Sequence, residues 1–143
     1  MEHTQEIMIW IAGLLHFGIL IASFSVPRVL DWRKELAGLS DLSRHVVWVH
    51  GVFIVLVIVG FGLIGVTQAA SLTAGTPLAR CVCGFIAVFW SARLAIQLFL
   101  FDARPYLRSA KLRVGYHGLT AVFTYLGFVF AWSALAPAGR VLL

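Results

Sequence analysis

The chain has few charged residues. Only 12% of its 143 residues are Asp, Glu, Lys or Arg, while 61% are hydrophobic. A soluble domain has about a quarter charged residues, so this composition cannot supply a water-facing surface. The mean hydropathy of +0.95 agrees with that conclusion. Lipid is therefore the predicted solvent for most of the chain.

Motifs for self-contained catalysis are missing as well. The sequence has no glycine-rich nucleotide loop, no context for a Ser or Cys triad and no pair of acids. Its two cysteines, Cys81 and Cys83, are two residues apart, which on a helix turns their side chains about 200° from each other. They are predicted to be packing residues rather than metal ligands. The sequence leaves open whether the protein is an enzyme. At most, we expect it to be an electron-transfer subunit.

Four long apolar runs are present instead. They cover residues 7–26, 46–66, 81–100 and 114–135, and each has about the 20 residues that a helix needs to cross a bilayer. None alternates polar and apolar residues as a barrel strand does. The sequence predicts an all-α, integral-membrane, four-helix up-down bundle that forms one domain. Residues 27–45 are expected to include a short interfacial helix, and residues 67–78 a polar turn.

Positive charge is concentrated in two connections. Eight of the 11 Lys and Arg residues lie in loops 27–45 and 101–113, as Arg28, Arg33, Lys34, Arg44, Arg104, Arg108, Lys111 and Arg113. The positive-inside rule places both loops in the cytoplasm and both termini on the outer side. The basic charge thereby reflects topology, and no nucleic-acid partner is predicted.

The second and fourth runs resemble each other. HGVFIVLVIVGF, starting at His50, aligns with HGLTAVFTYLGF, starting at His117, and His, Gly, Gly and Phe coincide. The pattern raises the hypothesis of a two-plus-two helix repeat about an axis along the membrane normal. The first and third runs do not share it.

Polar side chains inside the apolar runs are the candidate functional residues, because each is costly in hydrocarbon without a partner. They are His16, His50, Arg93 and His117, one in each run, with Gln97 as a milder case. At about 1.5 Å per residue, His50 and His117 lie roughly one turn inside the cytoplasmic boundary. A bundle that turned all four inward would gather them into one cluster.

A b-type haem is the first hypothesis for that cluster. His50 and His117 lie at matching depth on diagonal helices, as two axial ligands of one haem iron require. Arg93, with Arg44 or Arg113, would pair with the propionates. The chain would then be a small redox or quinone-interacting subunit.

Other interpretations stay open. A membrane histidine is more often an inter-helix hydrogen-bonding residue without a cofactor, and a quinone site or a single metal held by His16, His50 and His117 is also considered. No Asp or Glu lies in any of the four runs, so the partner of Arg93 is expected to be a backbone carbonyl, a histidine, a ligand or another subunit. The alternative function is a non-catalytic accessory or assembly subunit of a larger membrane complex.

Three segments carry a family resemblance. HFGILIASFSVPRVLDW (from His16), FDARPYL (from Phe101) and GYHGLT (from Gly115) resemble small four-helix proteins of the bacterial inner membrane. The resemblance implies that location and implies no activity. The lipid bilayer is predicted from the apolar runs, and other membrane subunits or further copies of the chain are expected as partners because the polar residues inside the runs have no acidic partner in the sequence.

Overall fold

The computed structural model describes residues 2–25, 31–100 and 109–136, and throughout these ranges the regular structure is helical. The elements are α1 (Glu2–Ser23), α2 (Trp32–Ala37), α3 (Asp41–Thr67), α4 (Ala69–Thr73), α5 (Pro77–Ala95) with a π-helical turn (Ile96–Leu100), and α6 (Ala110–Leu135). Four of them, α1, α3, α5 with its π turn, and α6, are long and apolar enough to cross a membrane. They indicate a multi-pass membrane protein, and apolar helices of this kind are compatible with contact to lipid.

Each long helix contains most of its predicted run and extends beyond it at the N-terminal end. α1 begins at Glu2, α3 at Asp41, α5 at Pro77 and α6 at Ala110. Ser40, Thr76 and Ser109 explain three of these starts, because each side-chain oxygen accepts a hydrogen bond from the backbone N–H three residues later. Hydropathy alone misses such polar first turns.

The connections between the long helices are described only in part. The short helix predicted within loop 27–45 is present as α2, whereas residues 26–30 and 101–108, which contain Arg28, Arg104 and Arg108, lie outside the described residues. The expected turn at 67–78 is in part wrong, because residues 69–73 form α4. Ala69 and Leu72, three positions apart, bury one face of that helix, and Gly75, at φ 70, then turns the chain toward α5.

The helices pack mainly as two pairs, α1 with α3 and α5 with α6, and α1 also contacts α6. Residues 13 and 16 of α1 meet residues 65 and 62 of α3 in that order, so this pair runs antiparallel. α5 and α6 run antiparallel too, since Gly84 lies beside Ala134 and Ser91 beside Gly127.

Two hydrogen bonds join α1 to α6 near the chain ends. Gln5 Nε2 donates to Ser133 Oγ at 3.0 Å, and the Tyr125 hydroxyl donates to the Met8 carbonyl at 3.0 Å. Arg80 Nε of α5 donates to the Ala134 carbonyl of α6 at 2.8 Å at the same level. These bonds fix the start of α1, the start of α5 and the end of α6 at one end of the molecule, which we call the terminal end. The opposite end, toward Leu100, is the loop end.

The core occupies the half of the molecule at the terminal end. On α3 the buried residues begin at Ile58, and on α6 they begin at Phe123. Residues 41–57 and 110–122 include no buried residue. The loop-end halves of α3 and α6 therefore expose their side chains on most sides.

A close helix contact in the core depends on two glycines. A Cβ on Gly13 would lie 2.6 Å from Val66 N and 2.8 Å from Gly65 C, and a Cβ on Gly65 would lie 2.8 Å from Gly13 Cα. These neighbours are backbone atoms, which cannot move aside as a flexible side chain does. Small residues at such crossings allow helices to approach in lipid.

We expect Gly13→Ala and Gly65→Ala each to lower the free energy of unfolding by about 1–3 kcal/mol, because the added methyl group pushes α1 and α3 apart. Gly18→Ala on α1 and Gly60→Ala on α3 are the matched controls, since a Cβ at either position meets nothing within 4 Å. Denaturant titration of the protein in detergent micelles measures the effect. Equal losses in all four variants would contradict this contact.

Candidate functional site

His16 lies at the centre of the core and is fully buried, with 0% of its surface exposed. Its Nδ1 is 2.6 Å from the Ala12 carbonyl oxygen, and its Nε2 is 2.9 Å from Trp90 Nε1. Because an indole nitrogen only donates, Nε2 must accept, and the ring proton is assigned to Nδ1, which donates to Ala12. The imidazole is thus neutral, and both of its nitrogens are engaged.

Aromatic rings surround this imidazole. Phe61 of α3, Trp90 of α5 and Phe130 of α6 meet it edge to face, at ring-centroid distances of 6.0, 5.3 and 6.1 Å. Such arrangements are favourable beyond the area they bury. His16 therefore marks the place where all four long helices meet, and we call His16, Phe61, Trp90 and Phe130 the aromatic centre.

Arg93 lies on the exposed surface of α5, inside the segment that is long and apolar enough to span a membrane. Its guanidinium carbon is 5.3 Å from the centroid of the buried Phe123 ring, a cation–π distance. Phe123 in turn stacks on Trp90, at 5.0 Å and 25° between the ring planes. Arg93 is thereby held against the aromatic centre, and it makes no ion pair with any residue in the described ranges.

A polar network joins the π-helical turn to α6. Gln97 Nε2 donates to Thr120 Oγ1 at 2.6 Å, the Thr120 hydroxyl donates to the Tyr116 carbonyl at 2.9 Å, and the Tyr116 hydroxyl donates to the Gln97 carbonyl at 3.2 Å. Gln97, Thr120 and Tyr116 therefore each have a hydrogen-bond partner within this network. A π turn widens the helix backbone and is often found at functional sites.

His50 and His117 are both exposed, on the loop-end halves of α3 and α6. His50 Nδ1 lies 2.9 Å from the Val46 carbonyl oxygen, and the His117 ring packs edge to face on Tyr116 at 5.5 Å. Neither ring belongs to the aromatic centre around His16. Of the four polar residues predicted from the sequence, the structure buries His16 and leaves His50, Arg93 and His117 on the surface.

The remaining metal-capable residues do not form a cluster. Cys81 is exposed and Cys83 is buried, and neither forms a disulfide. Within the described part of the chain, no three His, Cys, Asp or Glu side chains are grouped closely enough to hold a metal ion. The three-histidine metal site considered from the sequence is therefore not formed by His16, His50 and His117.

Sequence reasoning missed two features of this region. It did not identify Trp90 as the hydrogen-bond donor to His16. It also passed over Tyr116 and Thr120, although the spacing of Tyr116, Thr120 and Thr124 by four residues puts three hydroxyls on one face of α6. That spacing was the available signal.

Comparison of the chain with models of protein families, with curated proteins and with solved structures gave no match. Its function must therefore be inferred from its own residues.

We expect Trp90→Phe to lower the free energy of unfolding by about 1–3 kcal/mol, because it leaves the buried Nε2 of His16 without a donor. Trp10→Phe is the control, since Trp10 is 45% exposed. In a double-mutant cycle with His16→Leu, the Trp90→Phe loss should shrink, because no acceptor then remains. Additive losses would show that the bond contributes nothing.

Proposed function

We propose that the chain is a subunit of a larger membrane-protein assembly in the bacterial inner membrane, where its four long helices form an up-down bundle. The antiparallel contacts of α1 with α3, of α5 with α6 and of α1 with α6 support this arrangement. The cationic loops support a cytoplasmic loop end and outer termini. Labelling of single cysteines placed at Ser71 and Ala37 with an impermeant reagent measures that orientation.

The exposed polar residues of the loop-end half carry the proposal of a partner. His50 and His117 both lie on the surface of helices that are apolar enough to span a membrane. The free-energy cost of placing a polar or charged side chain among acyl chains falls by several kcal/mol when another polar group covers that side chain. A partner subunit that supplies such groups accounts for side chains that the chain itself leaves uncovered.

The division of the core supports the same proposal. Helices α3 and α6 bury residues only in their terminal-end halves, and the loop-end halves expose Val52, Phe53 and Val114 by 66%, 61% and 73%. Because the helices are packed at the terminal end and α3 and α6 are exposed at the loop end, the loop end offers surface for a neighbouring helix. The two-plus-two repeat would place His50 and His117 at corresponding points of this surface, although Gly60 and Gly127 have different neighbours. Superposing the α1–α3 pair on the α5–α6 pair tests the repeat.

A photo-reactive phenylalanine analogue in place of Phe53 or Val114 should form one discrete protein adduct in intact membranes. These positions are three residues from His50 and His117, so both histidines remain. Ile21 and Leu78, at 74% and 75% exposure, are matched control positions outside the loop-end surface of α3 and α6. Adducts at all four positions alike, or at none, would contradict a specific partner at this surface.

Binding of a b haem by His50 and His117 is the second candidate. His50 favours it, because an Nδ1–H that donates to a backbone carbonyl fixes the tautomer in which Nε2 is free to ligate. The fully engaged nitrogens of His16 do not offer that ligand. Since both candidate ligands are exposed and the aromatic centre is filled, such a haem would lie at the surface against a partner or a second copy. Arg93 would remain the candidate for the propionates, or for a quinone carbonyl.

The absorbance spectrum of the protein purified in detergent with its partners tests the haem. A Soret band that sharpens on reduction with dithionite should vanish in His50→Ala and His117→Ala. His45→Ala is the matched control, because His45 is also exposed and its Nδ1 likewise lies 2.7 Å from a backbone carbonyl oxygen, that of Asp41. A colourless preparation, or a band that survives both substitutions, would remove the haem and leave the assembly role.

A further inference from the structure

Positive charge on the α5–α6 pair has no acidic counterpart among the residues of these two helices that the structure describes. Residues 77–100 and 109–136 contain Arg80, Arg93, Lys111 and Arg113, all exposed, and no Asp or Glu. By contrast, Lys34 and Arg44 near α2 and α3 are paired with Asp31 and Asp41. Arg80 donates to the Ala134 carbonyl, whereas Arg93, Lys111 and Arg113 are paired with no acid in the described part of the chain.

Arg93 is the member of this set that lies deepest. Seven residues separate it from Leu100 at the end of the π turn, which corresponds to about 10 Å along the helix. An arginine at this depth reaches toward the headgroups by extending its side chain, while the bilayer thins locally around it. The cation–π contact with Phe123 stabilises the guanidinium but leaves its hydrogen-bond donors available for an acceptor.

The neighbouring polar groups do not compete for that acceptor. Gln97, Thr120 and Tyr116 are bonded to one another across the π turn and α6. Ile96 and Phe99, on the same turn, are 43% and 82% exposed, so apolar surface adjoins the charge. A positive group beside exposed apolar side chains, on a segment that spans a membrane, matches a ligand with an anionic head and acyl chains.

We propose that Arg93 binds the phosphate of an anionic phospholipid, whose acyl chains lie along the α5–α6 pair. The guanidinium fork fits phosphate oxygens in a two-bond geometry. Lys111 and Arg113 lie on α6 toward the loop end and draw anionic headgroups to the same side. An acidic segment of another membrane protein is the competing occupant, and the experiment below separates the two.

Native mass spectrometry of the full chain, stripped of lipid in detergent, measures this binding directly. Phosphatidylglycerol should bind more tightly than phosphatidylcholine with identical acyl chains. Arg93→Gln should weaken phosphatidylglycerol binding about tenfold, or about 1.4 kcal/mol, and bring it to the level of phosphatidylcholine. Arg80→Gln is the matched control, because Arg80 is exposed on the same helix at the terminal end, and it should bind like the wild type.

A second variant and a competition experiment separate the remaining explanations. Arg93→Lys keeps the charge and should retain the preference for the anionic lipid with weaker binding, which identifies a charge effect even if Arg93→Gln folds poorly. Inorganic phosphate at millimolar concentration should not displace the lipid, and displacement would assign the site to a free anion. Equal binding of both lipids would overturn the proposal. The proposal would also be overturned if the wild-type protein bound an acidic membrane protein in stoichiometric amount instead of lipid, and if Arg93→Gln lost that protein.

Discussion

A buried imidazole in a bundle surrounded by lipid has no water with which to replace a missing hydrogen bond, so its partners must come from the protein. The indole of Trp90 and the carbonyl of Ala12 supply both partners of His16. Because the indole belongs to α5 and the imidazole to α1, this bond fixes the register of the two helices. Phe61 and Phe130 then fit α3 and α6 around the same ring. The rest of the packing depends on this aromatic centre, and the glycine contact between α1 and α3 lies one turn away from it.

The position of the aromatic centre divides the molecule. Toward the terminal end the helices are joined by small residues and by hydrogen bonds between α1 and α6. Toward the loop end, α3 has no buried residue before Ile58 and α6 none before Phe123. The exposed polar residues His50, Arg93 and His117 lie toward the loop end. Both proposals drawn above, a protein partner near His50 and His117 and an anionic lipid at Arg93, follow from this division.

Much of the fold could be predicted from the sequence, and less of the site. The four apolar runs predicted four helices, and the described residues form four helices that are long and apolar enough to span a membrane. The polar first turns of α3 and α5 and the short α4 were missed, since a hydropathy window does not register a Ser or Thr cap or two buried residues three apart. The sequence also identified the polar residues of the spans, but it did not predict that, of His16, His50 and His117, only His16 would be buried, with Trp90 as its hydrogen-bond donor.

The apolar runs and the distribution of Lys and Arg are properties of the sequence itself, so both were known without a structure. The direction in which each histidine faces was decided only by tertiary structure. In a soluble protein the buried side of a helix is more apolar than the side that meets water, and the sequence shows that contrast. In a bilayer both sides meet apolar surroundings, because acyl chains are as apolar as a protein core. His16 and His50 therefore look alike in the sequence, and the packing of neighbouring helices around one of them made it the centre of the core.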